Sequence, residues 1–111
     1  MGGVWVVQQW SVRETDKAAC FEALERLADH IKDEHPEIEG VRTQMQWTGT
    51  QAHRGILWAE EYDSLSAMEQ GTHTPACDEV WSPIHALTMP GTHGRSVWFD
   101  IGPTWSRSTP A

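Results

Sequence analysis

The spacing of hydrophobic residues along this chain alternates between that of strands and that of helices. Segments rich in β-branched and aromatic residues predict strands at 4–12, 41–48, 54–62 and 95–101. Apolar residues recur at helical spacing over 16–34 and 64–87, and the second segment breaks at Gly71 and restarts at Thr74-Pro75. This order predicts an α+β, ferredoxin-like βαββαβ fold: a four-stranded antiparallel sheet with both helices on one face.

The chain of 111 residues is long enough for one domain with its own core. We predict that domain over 1–102, followed by a mobile tail over 103–111 that is rich in Pro, Ser and Thr. No apolar run approaches the roughly 18 residues of a membrane-spanning helix, so no membrane partner is expected. Cys20 and Cys77 fall in predicted helices and are expected to be reduced, which favours a cytoplasmic location.

The composition is acidic and unusually rich in tryptophan. The net charge is −8 without any cluster of Lys or Arg, so no nucleic-acid partner is expected, because phosphate backbones are bound through basic surfaces. Seven tryptophans occur in the chain. A tryptophan-rich core and a flat aromatic pocket for a ring-shaped ligand explain that number equally well.

Side chains alternate along a strand, so each predicted strand divides into two faces. In the third strand, Gly55, Leu57 and Ala59 are expected to pack on the helices. In the fourth strand, the same reasoning turns Val97 and Phe99 toward the helices. The first strand stays ambiguous, because both of its alternating sets contain valine and tryptophan.

The face expected to point away from the helices combines aromatic and polar side chains. The aromatic residues predicted to bind substrate are Trp58, Tyr62 and Trp98, and the polar ones are Gln44 and Gln46. An apolar wall with a few convergent polar groups is typical of a small-molecule pocket, because unpaired polar groups in a purely structural interface cost about 1–3 kcal/mol each. We therefore predict that this face binds a small, planar aromatic molecule.

Glu60, His73 and Asp100 are the predicted catalytic residues. Burial of Glu60 between aromatic neighbours would raise its pKa and suit it for proton transfer, and Asp100 has an analogous position on the fourth strand. His73 lies at the break of the second helix, where an imidazole could deprotonate a phenol. For each residue the alternative is a solvated or capping side chain without a chemical role.

Metal and cofactor sites are not expected. His30 and Glu34 lie one turn apart on the first predicted helix with His35 nearby, but their spacing matches no recognised metal motif, which favours a solvated acidic surface. No nucleotide-binding or hydrolase motif occurs in the chain.

Two segments carry a family resemblance. The helix-to-strand junction 35–41 (HPEIEGV) and the strand-to-helix passage 58–68 (WAEEYDSLSAM) resemble the dimeric α/β-barrel proteins, and most closely their antibiotic-biosynthesis-monooxygenase-like branch. The resemblance covers about residues 4–101 and implies a homodimer whose exposed sheet faces close into a barrel. Some members of that family oxidise phenolic, polyketide-derived compounds with O2 and without metal or flavin, and others cyclise polyketides or degrade haem.

This chain departs from the family patterns at specific positions. Where the resembled cofactor-free oxygenases carry Asn, Trp and Tyr, the chain has Trp58, Tyr62 and Met68. Where haem-degrading members carry Trp and His on the second helix, it has Gly71 and Trp81, which argues against haem degradation.

The predicted aromatic site and the family resemblance together favour a cofactor-independent monooxygenase that acts on a phenolic or polyketide-derived aromatic substrate through deprotonation. A polyketide cyclase of the same fold and a non-catalytic ligand-binding or dimerisation protein remain as alternatives.

Overall fold

A computed structural model describes residues 3–47, 53–71, 74–103 and 105–107. Its strands and helices follow the predicted order. The strands are β1 (Val4–Arg13), β2 (Ile38–Met45), β3 (His53–Tyr62) and β4 (Gly94–Phe99), and the helices are α1 (Lys17–Glu34), α2 (Leu65–Glu69) and α3 (Pro75–Leu87). Within these residues, no helix is both long enough and apolar enough to cross a membrane.

The sheet is antiparallel throughout, with the strand order β2-β3-β1-β4. The predicted ferredoxin-like α+β fold is confirmed. β2 and β3 pair with each other, and the residues 48–52 that connect them lie outside the described residues. The predicted domain limit at residue 102 and the tail beyond it remain predictions.

The two long helices form because their apolar residues line one side. In α1 the buried residues follow the helical period of about 3.6 and share one side: Cys20, Ala23, Leu24, Leu27 and Ile31. At the start of α3, the Cys77 N–H donates to Thr74 Oγ1 at 3.1 Å, and Pro75 occupies the first turn. The predicted restart of the second helical segment is therefore confirmed, and both cysteines are free, buried thiols.

The main core lies between the sheet and the helices α1 and α3. From the sheet it takes Trp10, Val12, Ile56 and Trp58, and from the helices it takes aliphatic side chains together with Trp81. A smaller cluster of Val4, Val6 and Tyr62 packs beside α2. Burial of this apolar surface supplies the main driving force for the fold.

The predicted face assignment of β3 is wrong. Ile56, Trp58, Glu60 and Tyr62 are buried on the helix side, and each pairs with a β1 residue on the same side. Both alternating sets of β3 contain apolar residues, so alternation alone could not choose between them. The structure turns the bulkier set toward the helices, where Trp58 is fully buried and fills the core.

The faces predicted for Gln44 in β2 and for Val97 in β4 agree with the structure, since Gln44 pairs with Leu57 on the outer side. Val41 of β2 pairs with Glu60 on the helix side, and Val97 of β4 pairs with Val6 there. The ambiguity of β1 resolves with Val4, Val6, Trp10 and Val12 buried.

Candidate functional site

A cavity of about 320 Å³ lies between the helix side of the sheet and the facing parts of α1 and α3. Its volume falls at the lower end of the range of small-molecule sites, roughly 300–1,000 Å³. Its wall is unusually rich in ionisable residues: His35, Glu37, Glu60, Asp78, His85 and Arg95. A wider groove of about 490 Å³ between α1 and β2 has a mostly apolar lining and no buried ionisable residue, so we place the candidate site in the smaller cavity.

Glu60 is the buried carboxylate of this cavity, with only 8% of its surface exposed. The Trp58 indole Nε1–H donates to Glu60 Oε2 at 2.9 Å, and the Tyr62 hydroxyl donates to Glu60 Oε1 at 3.4 Å. The three residues face the same side because they alternate along β3. Each carboxylate oxygen has a donor, which allows the group to remain in the interior.

Burial raises the pKa of Glu60 above its ordinary value, because a desolvated carboxylate is less stable in its charged form. The hydrogen bonds from Trp58 and Tyr62, and the charges of His35 and Arg95, offset part of that rise. Burial also raises the pKa of Tyr62, and the neighbouring Glu60 adds to the effect, so Tyr62 is held as a neutral donor. A carboxylate with a raised pKa is a stronger base, as proton abstraction requires.

Trp81 forms the aromatic wall of the cavity. Its ring meets the edge of Trp58 with centroids 5.8 Å apart and an interplanar angle of 77°, and it stacks on His85 at 5.7 Å and 24°. Trp58 is fully buried and lies outside the cavity lining. The aromatic part of the lining therefore consists of Trp81 and Tyr62. Trp58 lies behind the lining and contributes through its hydrogen bond to Glu60.

His35 follows the last residue of α1 and is 6% exposed. Its Nδ1 is 2.8 Å from Glu37 Oε1, and its ring meets that of His30 edge-on with centroids 5.4 Å apart. One nitrogen of each of these histidines and the Cys77 sulfur lie within 4.8 Å of one another. These three residues form the group within the described residues that could hold a metal ion, and the exposed Glu34 does not belong to it.

The structure divides the predicted site residues between the two faces of the sheet. Trp58, Glu60 and Tyr62 lie together on the helix side. Trp98 and Gln44 line a shallow depression of about 280 Å³ on the outer side.

Two further predicted residues, Gln46 and Asp100, lie apart from the cavity. Gln46 lies next to Gly55, outside the cavity lining. Asp100 is exposed after β4, where its backbone N–H donates to the Gly3 carbonyl at 2.8 Å. His73 lies outside the described residues. The carboxylate pair predicted from Glu60 and Asp100 therefore does not share the cavity.

Sequence reasoning missed several cavity residues because long-range contacts place them there. Gln8 comes from β1, Arg95 from β4, and Trp81 and His85 from α3. Trp81 is a buried core residue of α3 and also lines the cavity. The strand pairing of Gln8 with Arg95 and with Trp58 is what joins these elements at the site.

Solved structures share this fold. One is a protein from Caulobacter crescentus proposed to be an antibiotic biosynthesis monooxygenase (17% identity, TM-score 0.69, covering 91% of this chain and 92% of that chain). Another is a mutant of SnoaB, a cofactor-independent oxygenase from Streptomyces nogalater (12%, TM-score 0.66, 90% and 94%). A third is a dimeric protein of unknown function with a ferredoxin-like fold from Bacteroides fragilis (9%, TM-score 0.66, 87% and 95%).

No protein-family model and no curated protein matches the sequence. At these sequence identities the structural similarity establishes the fold alone, and any chemical activity has to be argued from the residues of the site. The predicted likeness is confirmed at that level: the chain has the ferredoxin-like fold found in proteins related to antibiotic biosynthesis monooxygenases.

Proposed function

We propose that this protein is a cofactor-independent monooxygenase that removes a proton from a phenolic or polyketide-derived aromatic substrate. The observation that supports this most directly is Glu60, a buried carboxylate in a cavity of suitable size, whose pKa is raised by burial. A buried, ionisable group in a cleft is a functional-site candidate with a physical rationale. The fold shared with a cofactor-independent oxygenase adds weight to this proposal.

Four residues of the cavity lining, together with Trp58 behind it, have roles in this proposal. Glu60 accepts the proton, and the donors Trp58 and Tyr62 hold the carboxylate in place. Trp81 offers its ring to the planar substrate. Arg95 supplies positive charge in the same cavity, which favours the substrate anion that forms on deprotonation.

The proposed reaction converts a methylene group between aromatic rings into a carbonyl group. Glu60 takes one proton from the activated substrate, and the resulting anion transfers an electron to O2. The two radicals combine to form a carbon–oxygen bond, and the proton returns from Glu60 to give a hydroperoxide. Loss of water then leaves the carbonyl, so one CH2 group and one O2 become one C=O group and one water.

The test is oxygen uptake with a panel of phenolic polycyclic compounds that contain such a methylene group. Glu60→Gln should lower turnover by about 10²–10⁴-fold, the usual contribution of a general base. Glu61→Gln is the matched control, because Glu61 is the next residue of β3 and faces the other side. Equal turnover in Glu60→Gln and the parent protein would contradict the proposed role.

The same assay separates the alternatives. Product formation without oxygen uptake identifies a cyclase, in which Glu60 still takes the proton but no O2 is reduced. Saturable quenching of tryptophan fluorescence without product identifies a ligand-binding protein. Either outcome rejects the monooxygenase proposal.

The outer face of the sheet supports a second part of the proposal, a homodimer. Trp5, Val7, Leu57 and Trp98 line a depression there, and Trp98 is 60% exposed. Contiguous exposed apolar surface of this kind marks interaction sites, and the Bacteroides fragilis protein of the same fold is dimeric.

Light scattering after size-exclusion chromatography tests this part. We expect twice the chain mass of 12.5 kDa at micromolar concentration, and a shift to a single chain mass in Trp98→Glu. A parent protein that already elutes at the single mass contradicts the dimer.

A cytoplasmic location also belongs to the proposal, supported by the two free cysteines.

A further inference from the structure

Two histidines and a cysteine meet where the end of α1 lies beside the start of α3. His30 belongs to the last turns of α1, His35 follows that helix, and Cys77 lies in the first turn of α3. One nitrogen of each ring and the Cys77 sulfur are all within 4.8 Å of one another. The cluster is shielded from solvent, since His35 is 6% exposed, Cys77 is 8% exposed and His30 is half-buried.

One ring nitrogen of each histidine in this cluster lacks a hydrogen-bond partner. Nε2 of His30 and Nε2 of His35 are both buried, and neither has a hydrogen bond within the described ranges of the chain. Buried polar atoms in folded proteins almost always have a partner, so two orphaned imidazole nitrogens beside a thiol need an explanation. A metal ion that both nitrogens coordinate would provide one.

Glu37 gives His35 the arrangement of a metal ligand. Its Oε1 is 2.8 Å from His35 Nδ1, which fixes the ring and leaves Nε2 as the free ligand atom. Metal-binding histidines usually donate their other ring N–H to a carboxylate or a carbonyl in this way. The contact is therefore a second observation, independent of the clustering, that points to a metal.

We propose that His30, His35 and Cys77 bind one Zn²⁺ ion. Two imidazoles and one thiolate suit zinc, and three protein ligands leave the fourth position for water or for a ligand in the cavity. Zinc bonds of about 2.0–2.3 Å place ligand atoms roughly 3.3–3.8 Å apart, so the side chains need to close by about 1 Å. The Cys77 thiol releases its proton to solvent when it binds the ion.

This site lies on the wall of the cavity, because His35 and Cys77 both line it. The sequence alone predicted no metal site, because the spacing of residues along the chain does not reveal the contact of Cys77 with the two histidines. The site uses neither Glu60 nor the two donors that hold that carboxylate. The zinc proposal and the monooxygenase proposal can therefore fail separately.

The test uses the full-length chain without a histidine tag, freed of metal by a chelator. Zn²⁺ is titrated against a chromophoric chelator, and we expect one ion per chain. In a second measurement, Co²⁺ is added to the metal-free protein as a spectroscopic probe. We expect the parent protein to show the charge-transfer absorption of a cobalt–thiolate bond. This second measurement needs no variant, so it does not depend on whether a variant folds.

Cys77→Ser and His35→Ala should each weaken zinc binding by more than about 100-fold, and Cys77→Ser should abolish the cobalt–thiolate band. Glu37→Gln removes the carboxylate behind His35 and should weaken binding by about 10–100-fold. Matched controls remove the same groups elsewhere: Cys20→Ser in α1, His93→Ala before β4, and Glu34→Gln at the exposed end of α1. These three should bind zinc as the parent does.

Two results would overturn the proposal. The first is a parent chain that takes up no stoichiometric zinc and shows no cobalt–thiolate band. The second is zinc binding that survives Cys77→Ser but disappears in His93→Ala. That outcome would place the ion at the pair His85 and His93, whose ring centroids are 6.5 Å apart, and not at the buried cluster.

Discussion

The two faces of the sheet place similar residues in different surroundings. On the helix side, Trp58 is fully buried and donates a hydrogen bond to Glu60, whose carboxylate lies against a cavity. On the outer side, Trp98 is 60% exposed, and its indole donates to Ser96 of the same strand at 2.7 Å. A tryptophan on the first face is part of the core and of the candidate site, whereas a tryptophan on the second face is available to a partner.

The parity of β3 therefore decides which of its side chains face the cavity and which face outward. A shift of β3 by one residue would exchange Glu60 with Glu61 and move the buried carboxylate to the outer face. The register is fixed by large side chains, because Ile56 and Trp58 enter the core between α1 and α3. The packing of the core thereby determines which glutamate loses its contact with water.

The largest expected effect comes from exchanging tryptophans for alanine on each face. Trp58→Ala should lower the free energy of unfolding by about 3–5 kcal/mol, because it empties a fully buried site. Trp98→Ala should change it by about 0.5 kcal/mol or less when measured by urea unfolding at a concentration where the chain is dissociated. Equal losses of unfolding free energy in the two variants would contradict the difference in burial between Trp58 and Trp98.

The second prediction concerns pH and the two neighbouring glutamates. Because burial raises the pKa of Glu60 in the folded state, the folded chain holds that proton more tightly than the unfolded chain does. This contribution to stability is complete below the ordinary glutamate pKa and is lost as pH rises through the raised pKa. Glu60→Gln cannot ionise, so its stability relative to the parent should increase with pH across that window.

Urea unfolding at a series of pH values checks this prediction, with Glu61→Gln as the control. Among the described residues, the titratable groups that act on Glu60 include Tyr62, His35 and Arg95, and all three are retained in both variants. Subtraction of the two variants therefore removes the general effect of the acidic chain and leaves the effect of Glu60. Parallel pH profiles for the two variants would show that Glu60 is solvated in solution.

Much of the fold followed from the sequence, because it depends on local periodicity. The helix start at Thr74-Pro75 and the faces of β2 and β4 could be derived from a few residues each. The face of β3 could not, since Leu57 and Ala59 are as compatible with a core as Ile56. Which face of β3 turns toward the helices depends on how much volume remains between them, and that volume is a property of the whole core.

The candidate site was predictable only within one strand. The grouping of Trp58, Glu60 and Tyr62 followed from alternation, which keeps such residues on one side whichever side that is. Arg95 and Trp81 join them through the pairing of β1 with β4 and the packing of α3 on the sheet. His30, His35 and Cys77 meet only because two helix ends meet, and no spacing along the chain encodes that contact.

The last prediction concerns Arg42 on the outer face, whose guanidinium carbon lies 5.0 Å from the centre of the Trp5 ring. Both groups are in contact with water in the single chain, so Arg42→Ala should lower the free energy of unfolding by about 0.5–1 kcal/mol. A second copy that covers this face would remove water from the pair and increase the interaction to about 2 kcal/mol. The cost of Arg42→Ala should therefore rise with protein concentration, while the cost of Trp58→Ala should not. Unfolding curves over a hundredfold dilution series measure both costs. If the cost of Arg42→Ala stays constant while the protein changes from dimer to monomer, the dimer forms through a different surface.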